Sequence, residues 1–318
     1  MSFALGIAEI DGAKSAPILV WNARYFDLLS LDERMSASKG GAPLPRNLES
    51  MLADWDYSFA RICNLVLHGE QANWFSAPLD QVRFRAPICR PGKILCAAAN
   101  YRAHVEEMAR SKFSGPQGTA SGRAEGDLRP YHFLKASNCM TGPGDDVVLP
   151  SADHRIDWEV ELGAVIGKPA KSVSAARAMD HVAGYVIVND ISCRAATWRA
   201  DRPNLRSDWL AGKSYDTFLP VGPYFVPAAF VPDYRTLKLR LWVNDTLQQD
   251  GTAGDMIFSI EEQIAYLSSM LTLESGDLIA TGTPAGVGQG KGTYLKHGDV
   301  MSAEITGLGR QRNPVRLP

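Results

Sequence analysis

The chain has 318 residues, 45% hydrophobic and 21% charged, which is typical of a globular protein with a sizeable core and two or three units of domain size. Its net charge of −2 and its short apolar runs exclude a basic nucleic-acid surface and a membrane span. Five scattered cysteines without a CxxC pair, and no visible secretory signal, indicate reduced thiols. We therefore expect a cytoplasmic protein that binds neither nucleic acid nor membrane.

The first part of the chain predicts a small unit of mixed strands and helices. Residues 3–21 contain two apolar segments around an Asp-Gly turn signal and predict a hairpin. Apolar residues recur at helical spacing over 47–67, which predicts one or two helices. Prolines and a glycine interrupt any regular period between 85 and 92. We therefore predict one domain over 1–88 and a larger one over 89–318.

The larger domain reads as strands joined by short helices and loops. A short apolar strand precedes a helix at about residues 100–108. Residues 111–127 are rich in glycine and serine with almost no large apolar side chain, which predicts a mobile loop. A continuous apolar run over 182–188 predicts a buried strand, and Lys213 lies in a predicted loop. Since no regular βαβ alternation is present, the predicted fold class is α+β with few, short helices.

The segment from Asp157 to Leu162 gathers acidic residues. On an extended strand alternate side chains share a face, so Asp157, Glu159 and Glu161 lie together. Carboxylates so near to one another raise one another's pKa, and solvent, basic partners or a cation must offset their repulsion. Hard oxygen donors suit Mg²⁺, Mn²⁺ or Ca²⁺. Spacing alone leaves a second interpretation open, a solvated face of an antiparallel sheet.

Other candidate residues for chemistry are few. His104 and Glu107 are three positions apart, so on a helix they touch, and a carboxylate beside an imidazole makes a competent general base. An exposed helix pair is the alternative. Asp190 ends the apolar run and is either a cap or a site residue. Neither a GxSxG nor a GxGxxG motif is present, and the glycine-rich segment near 288 departs from the P-loop pattern.

Five motifs occur in order between residues 100 and 288. They are Asn100-Tyr101 with His104 and Glu107, Asp157-x-Glu159-x-Glu161-Leu162, Val188-Asn189-Asp190-Ile191-Ser192, Gly212-Lys213-Ser214, and Thr281-Gly282-Thr283-Pro284-Ala285-Gly286-Val287-Gly288. From about Lys93 onward the chain thereby resembles the fumarylacetoacetate hydrolase family. The resemblance implies a mixed β-roll core, a small N-terminal α+β accessory domain, a homodimer, and one divalent cation, Mg²⁺ or Mn²⁺, per subunit.

The same resemblance assigns roles to residues of this chain. It implies metal ligands at Glu159, Glu161 and Asp190, a catalytic group of His104, Glu107 and Lys213, and substrate contacts at Tyr101, Lys213 and Thr283. Asp157 then becomes an orienting residue, directed at a ligand or at a base such as Arg155. Ala99 stands where some acylpyruvate-cleaving relatives carry Arg, so Arg102, Arg194 and Arg199 are candidates to hold a substrate carboxylate.

The implied reaction is the hydrolysis of a C–C bond in a small 2,4-dioxo acid of the acylpyruvate, fumarylpyruvate or diketo sugar acid type. Water activated by His104 and Glu107 attacks the remote carbonyl, and the cation and Lys213 stabilise the enolate that is released. The loop at 111–127 is expected to act as a lid. The alternatives are an oxaloacetate-type decarboxylase or a keto–enol isomerase that uses the same metal site, or a member that has lost activity.

Overall fold

The computed structural model describes residues 2–9, 15–39, 41–69, 76–112, 128–151, 154–202, 204–205 and 207–318. The strands are β1 (Ala4–Glu9), β2 (Ser15–Trp21), β3 (Arg24–Asp27), β4 (Ala77–Pro78), β5 (Arg83–Arg85), β6 (Ile94–Ala97), β7 (His132–Lys135), β8 (Met140–Thr141), β9 (Val147–Val148), β10 (Ile156–Asp157), β11 (Val160–Ile166), β12 (Val182–Asn189), β13 (Ser192–Cys193), β14 (Leu219–Pro220), β15 (Val226–Pro227), β16 (Lys238–Val243), β17 (Thr246–Thr252), β18 (Leu278–Ala280), β19 (Val300–Ile305) and β20 (Gly309–Arg316). The helices are α1 (Leu28–Lys39), α2 (Leu48–Ala53), α3 (Trp55–Gly69), α4 (Arg102–Arg110), α5 (Ala175–Ala178), α6 (Arg194–Thr197), α7 (Trp209–Lys213), α8 (Ile260–Met270) and α9 (Gly288–Lys291). No described helix is long and apolar enough to cross a membrane.

The N-terminal sheet has the strand order β4-β3-β2-β1-β5, built from residues 4–85 alone. Strands β1 and β2 pair antiparallel, which confirms the predicted hairpin strands, and α2 and α3 confirm the predicted helices. Helix α1 was not predicted from the sequence. The sheet is joined to the rest of the chain by two 2.8 Å backbone hydrogen bonds between Leu5 and Phe225. The proposed division of the chain at residue 88 therefore crosses a continuous apolar core, which contains both residues.

The central sheet has the order β15-β12-β11-β18-β6-β7 and carries the chemically interesting residues. Every residue of β11 and β12 is buried, as the continuous apolar run of β12 predicts. The two strands pair antiparallel with Val160 opposite Asn189 and Glu161 opposite Val188. This register brings the start of β11 next to the end of β12, so Asp190 donates its backbone N–H to the Glu159 carbonyl at 2.8 Å.

A third sheet, with the order β17-β16-β19-β20-β9, packs against the central sheet. In β16 the alternate residues Leu239 and Leu241 are fully buried, because every second side chain of the strand faces the core. Helix α8 begins at a capping box, in which the side chains of Ser259 and Glu262 accept from each other's backbone N–H groups. These sheets with short helices agree with the predicted α+β class.

The structure corrects two local predictions, and a third lies mostly outside the described residues. Lys213 is the last residue of α7 and does not lie in a loop. The predicted acidic strand is interrupted, because β10 ends at Asp157 and β11 begins at Val160. From residue 113 to residue 127 the predicted lid lies outside the described residues.

Candidate active site and metal centre

The structure brings Glu159, Glu161 and Asp190 together at the start of β11. Each offers a carboxylate oxygen, and these oxygens lie within 4.8 Å of one another. All three residues are at most 5% exposed, so the interpretation as a solvated strand face is wrong. Glu159 and Glu161 meet because they are two positions apart, and Asp190 joins them through the antiparallel pairing of β11 with β12.

Two buried lysines partly neutralise this acidic triad. Lys213 Nζ donates to Glu159 Oε2 and to Asp190 Oδ2, both at 2.6 Å. Lys135 Nζ lies 2.6 Å from Asp190 Oδ1 and also donates to the carbonyls of Ile191 and Phe218. Lys135 was not identified from the sequence, because a lysine at the end of an edge strand carries no pattern that distinguishes it from a surface lysine.

The three carboxylates differ in their charge environment. Burial tends to raise the pKa of Glu159, but Lys213 and Arg194 outweigh it and hold that pKa below its ordinary value. Burial, followed by repulsion from Asp190 and Glu159, raises the pKa of Glu161 well above its ordinary value. Glu161 accepts one hydrogen bond from the Gly282 N–H, at 2.9 Å, and forms no ion pair with a described residue.

Three hard oxygens with one uncompensated member fit a divalent cation. A hydrogen bond between the two segments that carry the triad fixes the backbone of Glu159: its N–H donates to Asn189 Oδ1 at 2.9 Å. The site thus presents buried, oriented carboxylates whose remaining negative charge a bound cation would balance.

Asp157 lies beside the triad but has different partners. Its Oδ1 accepts from the Gly288 N–H at 2.6 Å, and its Oδ2 from the Gln289 N–H at 2.9 Å. Arg194 Nε donates to Asp157 at 2.9 Å, and Arg194 Nη2 donates to Glu159. The predicted orientation of Asp157 towards a basic residue is confirmed, but the residue is Arg194, and the guanidinium of Arg155 lies over the Tyr294 ring, 6.0 Å from the centroid.

Of the three arginines considered for a substrate carboxylate, Arg194 alone lines the cavity described below. Arg199 pairs with Asp201 and Asp208, and Arg102 is exposed on α4. Because Arg194 already binds two carboxylates, its charge is largely committed within the protein.

Helix α4 carries the predicted His104–Glu107 pair. His104 Nδ1 and Glu107 Oε2 are 3.6 Å apart, beyond hydrogen-bonding distance, and Nδ1 is buried without a hydrogen-bond partner among the described residues. Both Glu107 oxygens accept from the Gly286 N–H, at 3.1 and 3.0 Å. Burial raises the pKa of Glu107, but His104 and the Gly286 N–H outweigh this, and the net shift is downward. The interpretation as an exposed helix pair is wrong, because His104 is 8% exposed.

One glycine-rich loop contacts both groups. Gly282 donates to Glu161, and Gly286 donates to Glu107. Both glycines adopt φ near +105°, a conformation that L side chains rarely take. A Cβ at Gly286 would lie 2.0 Å from the Gln248 carbonyl oxygen, so only glycine fits there.

Thr283, in the same loop, was predicted to contact substrate and lines the cavity. Its hydroxyl donates to the Val160 carbonyl at 2.9 Å and accepts from Gln249 Nε2 at 2.8 Å. Gln249 was missed by the sequence analysis, since a single amide on β17 gives no motif. Tyr101 is 1% exposed and is not among the cavity-lining residues, so its predicted substrate contact stays a prediction.

A cavity of about 450 Å³ opens over these groups. Its polar end contains His104, Glu159, Glu161, Arg194, Lys213 and Thr283. Its other walls are mainly apolar and include Val105, Met108, Tyr131, Phe133, Trp198 and Trp209. The arrangement can hold a small acid at the triad and place His104 close to it, with aromatic rings around the remainder.

Comparisons with known proteins identify one matching family and several similar chains. The family described as "Fumarylacetoacetate (FAA) hydrolase C-terminal" matches residues 93–316. The chain is 42% identical over 245 residues to a 2,4-didehydro-3-deoxy-L-rhamnonate hydrolase of Sphingomonas sp. (strain SKA58), covering 76% of this chain and 79% of the relative. It is 38% identical over 234 residues to a mitochondrial oxaloacetate tautomerase of Homo sapiens, covering 73% and 69%.

Among solved structures, the chain is similar to maleylpyruvate hydrolase from Sphingobium sp. SYK-6 in complex with manganese(II) and pyruvate. The TM-score is 0.72 with 29% identity, and the match covers 99% of both chains. A probable 2-hydroxyhepta-2,4-diene-1,7-dioate isomerase from Mycobacterium abscessus gives a TM-score of 0.72 with 27% identity, over 100% and 99% of the two chains.

Proposed function

The chain belongs to the fumarylacetoacetate hydrolase family, and we propose that it hydrolyses a C–C bond in a 2,4-dioxo acid with the help of Mg²⁺ or Mn²⁺. The observation that carries the proposal is the buried triad of Glu159, Glu161 and Asp190 beside a cavity that also contains His104. The relatives named as hydrolases of a diketo sugar acid and of maleylpyruvate support a dioxo acid substrate.

The triad would hold the cation, and Glu161 is the ligand whose charge most requires it. A divalent cation there supplies a Lewis acid that stabilises the negative charge of an enolate. Lys213 contributes a second positive charge at the same end, held in place by its two hydrogen bonds to Glu159 and Asp190. The head of the substrate, its carboxylate and 2-oxo group, therefore binds at this end of the cavity.

His104 is the proposed general base. It takes a proton from a water molecule, and the resulting hydroxide attacks the carbonyl at C4 of the substrate. The C3–C4 bond then breaks, C4 leaves in a carboxylic acid, and the electron pair of the bond passes to C3 as the pyruvate enolate. The proton that His104 took from water is returned to C3, which completes the reaction. Glu107, fixed by Gly286, orients the imidazole and stabilises its protonated form. The 3.6 Å gap between the two side chains would close in the substrate complex, as such contacts commonly do.

A second candidate function is supported by the oxaloacetate tautomerase among the relatives. Decarboxylation or keto–enol isomerisation of an oxaloacetate-like acid needs the cation and its ligands but no attacking water. The same carboxylate triad would therefore serve, and His104 would become dispensable or would act only as a proton carrier.

A substrate panel tests the proposal. An acylpyruvate, fumarylpyruvate, a 2,4-diketo sugar acid and oxaloacetate are each incubated with the protein and Mg²⁺ or Mn²⁺. Pyruvate release, CO₂ release and enol–keto conversion are scored separately. We expect pyruvate from a dioxo acid without CO₂. Turnover unchanged after a chelator has removed the metal would overturn the proposal.

We also propose a homodimer. Strand β7 is at the edge of the central sheet, and Leu134 on it is 55% exposed. Leu210 on the neighbouring α7 is exposed as well, and so is Tyr131, which lies beside that helix. Apolar side chains on an open sheet edge favour burial against a second chain. Light scattering after gel filtration should give twice the 34.6 kDa mass of one chain, and a monomer at micromolar concentration would contradict this.

Two further proposals remain from the sequence. We propose a cytoplasmic location, since the five cysteines are all free thiols, as expected in a reducing compartment. We also keep the division at residue 88 into an accessory and a catalytic domain, which matches the start of the family match at residue 93. Fractionation of the source cells and limited proteolysis near residue 88 test the two proposals.

A further inference from the structure

The two ends of the cavity differ sharply in chemistry. Glu159, Glu161, Arg194 and Lys213 are the charged groups of the polar end. Phe133 adjoins this end, with its ring centroid 5.1 Å from Lys213 Nζ, and stacks on Trp209 with ring centroids 4.7 Å apart and planes at 16°. Tyr131 lies 6.0 Å from Trp209, and Trp198 and Met108 complete the wall. The part of a substrate that extends away from the triad therefore meets aromatic and aliphatic carbon.

The charges of the polar end match one substrate carboxylate. In the ion-pair network around the triad, four carboxylates face three cations: Asp157, Glu159, Glu161 and Asp190 against Lys135, Arg194 and Lys213. With all of them ionised, a bound divalent ion would turn the one excess negative charge into one excess positive charge. The carboxylate at the substrate's head would balance that charge. A second carboxylate in the substrate would have no counterpart at this end.

Within the described part of the chain, the aromatic walls offer a second carboxylate neutral donors only, such as the Ser207 hydroxyl and the Trp209 indole N–H, which is buried without a hydrogen-bond partner. Among the described residues that line the cavity, Arg194 and Lys213 are the only lysines or arginines, and each already binds two carboxylates. Thr197 also lines the cavity, but its hydroxyl already donates to the Cys193 carbonyl at 2.9 Å. A polyol would bind poorly for a similar reason, because its hydroxyl groups would lose their hydrogen bonds to water against a surface composed largely of carbon.

We infer that the distal group of the substrate is apolar, an aryl or medium-length alkyl group, and that Trp198 and Trp209 select it. This inference rests on the proposed function and narrows it to acylpyruvates with an apolar acyl group. It separates this chain from its relative that acts on a diketo sugar acid, despite 42% identity. A hydrophobic pocket discriminates by about tenfold or more for a group that fits it.

The test uses oxo acids that share the head of the substrate but lack the C4 carbonyl, so that they bind without being cleaved. Calorimetric titration of the Mn²⁺-loaded protein compares 4-phenyl-2-oxobutanoate with 2-oxoglutarate, which carries a distal carboxylate. We expect the phenyl compound to bind at least about tenfold more tightly. Equal affinities, or tighter binding of 2-oxoglutarate, would overturn the inference and leave the proposed function intact. Binding of neither compound would overturn both.

A pair of variants locates the selectivity. Trp198→Ala should reduce the affinity ratio of the two acids to about threefold or less, because it removes part of the apolar wall. The matched control is Trp242→Ala, a partly buried tryptophan on β16 that does not line the cavity. We expect the control to keep the wild-type ratio. An equal ratio in wild type, Trp198→Ala and Trp242→Ala would show that Trp198 selects nothing.

Discussion

The acidic triad and the His104–Glu107 pair lie at one cavity but are built differently. The triad is cross-linked by lysine contacts of 2.6 Å that tie β7, β11, β12 and α7 together. The pair on α4 is separated by 3.6 Å, and His104 Nδ1 has no hydrogen bond to a described residue. Groups that hold charge need permanent partners, since an unpaired buried charge is costly. The proposed base exchanges a proton only when substrate is bound, and its contact with Glu107 is expected to tighten at that stage.

The largest expected effect comes from removing a charge of the triad. Glu161→Gln should abolish Mn²⁺ binding in calorimetry and reduce hydrolysis to background, since the ligand loses its negative charge. Glu304→Gln, on β19, is the matched control and should change neither. Tight Mn²⁺ binding by Glu161→Gln would show that the triad does not hold the metal.

The same variant should not weaken the metal-free fold. Folding raises the pKa of Glu161, so the Glu161 carboxyl loses its proton at a lower pH in the unfolded chain than in the folded protein. As pH rises above the ordinary pKa of glutamate, the unfolded state is therefore stabilised relative to the folded state. At pH 7 ionisable Glu161 therefore disfavours folding. We expect metal-free Glu161→Gln to be at least as stable as wild type in urea at pH 7, with the difference vanishing below about pH 4.

The next largest effect concerns the proposed base. His104→Ala should reduce hydrolysis by about 10³-fold while Mn²⁺ affinity stays unchanged, because the imidazole transfers protons and binds no metal in the proposed reaction. Oxaloacetate turnover by the same variant serves as the comparison. If hydrolysis survives the substitution, His104 is not the group that activates water; if the substitution leaves oxaloacetate turnover intact and the wild type hydrolyses no dioxo acid, the decarboxylase or isomerase alternative is favoured.

A smaller effect, on stability, tests the permanent pairing of the triad. Lys135→Met leaves one oxygen of buried Asp190 without its cation and should cost about 3 kcal/mol in urea unfolding without metal. Lys168→Met breaks a more exposed ion pair with Asp56 and should cost less than about 1 kcal/mol. Equal losses in the two variants would mean that burial of the triad does not make its pairing strong.

The smallest effect is expected at Glu107. Its pKa is lowered in the folded protein, so its contribution to stability is present above the ordinary value near pH 4.5 and is lost as the pH falls through the folded pKa. Glu107→Gln should therefore be less stable than wild type at pH 7, and the gap should narrow below pH 4. The exposed neighbour on α4, Glu106→Gln, provides the control. A gap independent of pH would point to lost packing as its cause.

The sequence predicted the proposed metal ligands better than it predicted the basic residues that pair with them. Glu159 and Glu161 follow from the two-residue period of a strand, which is local information. Asp190 was brought into the triad by family resemblance, and the register of β11 against β12 explains its position. Lys135 is 55 residues from Asp190 in sequence, and nothing local marks it as buried. Arg194 is close to Asp190 in sequence and was considered for a substrate carboxylate, but its pairing with Asp157 and Glu159, 37 and 35 residues away, was not predicted.

Asp157 shows where the strand period ceased to apply. Alternation placed it with Glu159 and Glu161, but the chain leaves regular strand geometry between β10 and β11. The carboxylate of Asp157 lies at the start of α9, where it accepts hydrogen bonds from the N–H groups of Gly288 and Gln289. The competing force is the satisfaction of unpaired N–H groups, which a sequence period does not report.

The glycine loop has a consequence for substrate length. Gly282 is bonded to a proposed metal ligand and Gly286 to the partner of the proposed base, with only three residues between them. Positive φ at both glycines, and the close approach of Gly286 to Gln248, leave this span little freedom to stretch. In the proposed reaction this short loop couples the position of Glu161 to that of Glu107, so the anchored head of the substrate and the attacking water keep a fixed separation. Such a separation fits a substrate whose attacked carbonyl lies two carbons beyond the anchored 2-oxo carbon.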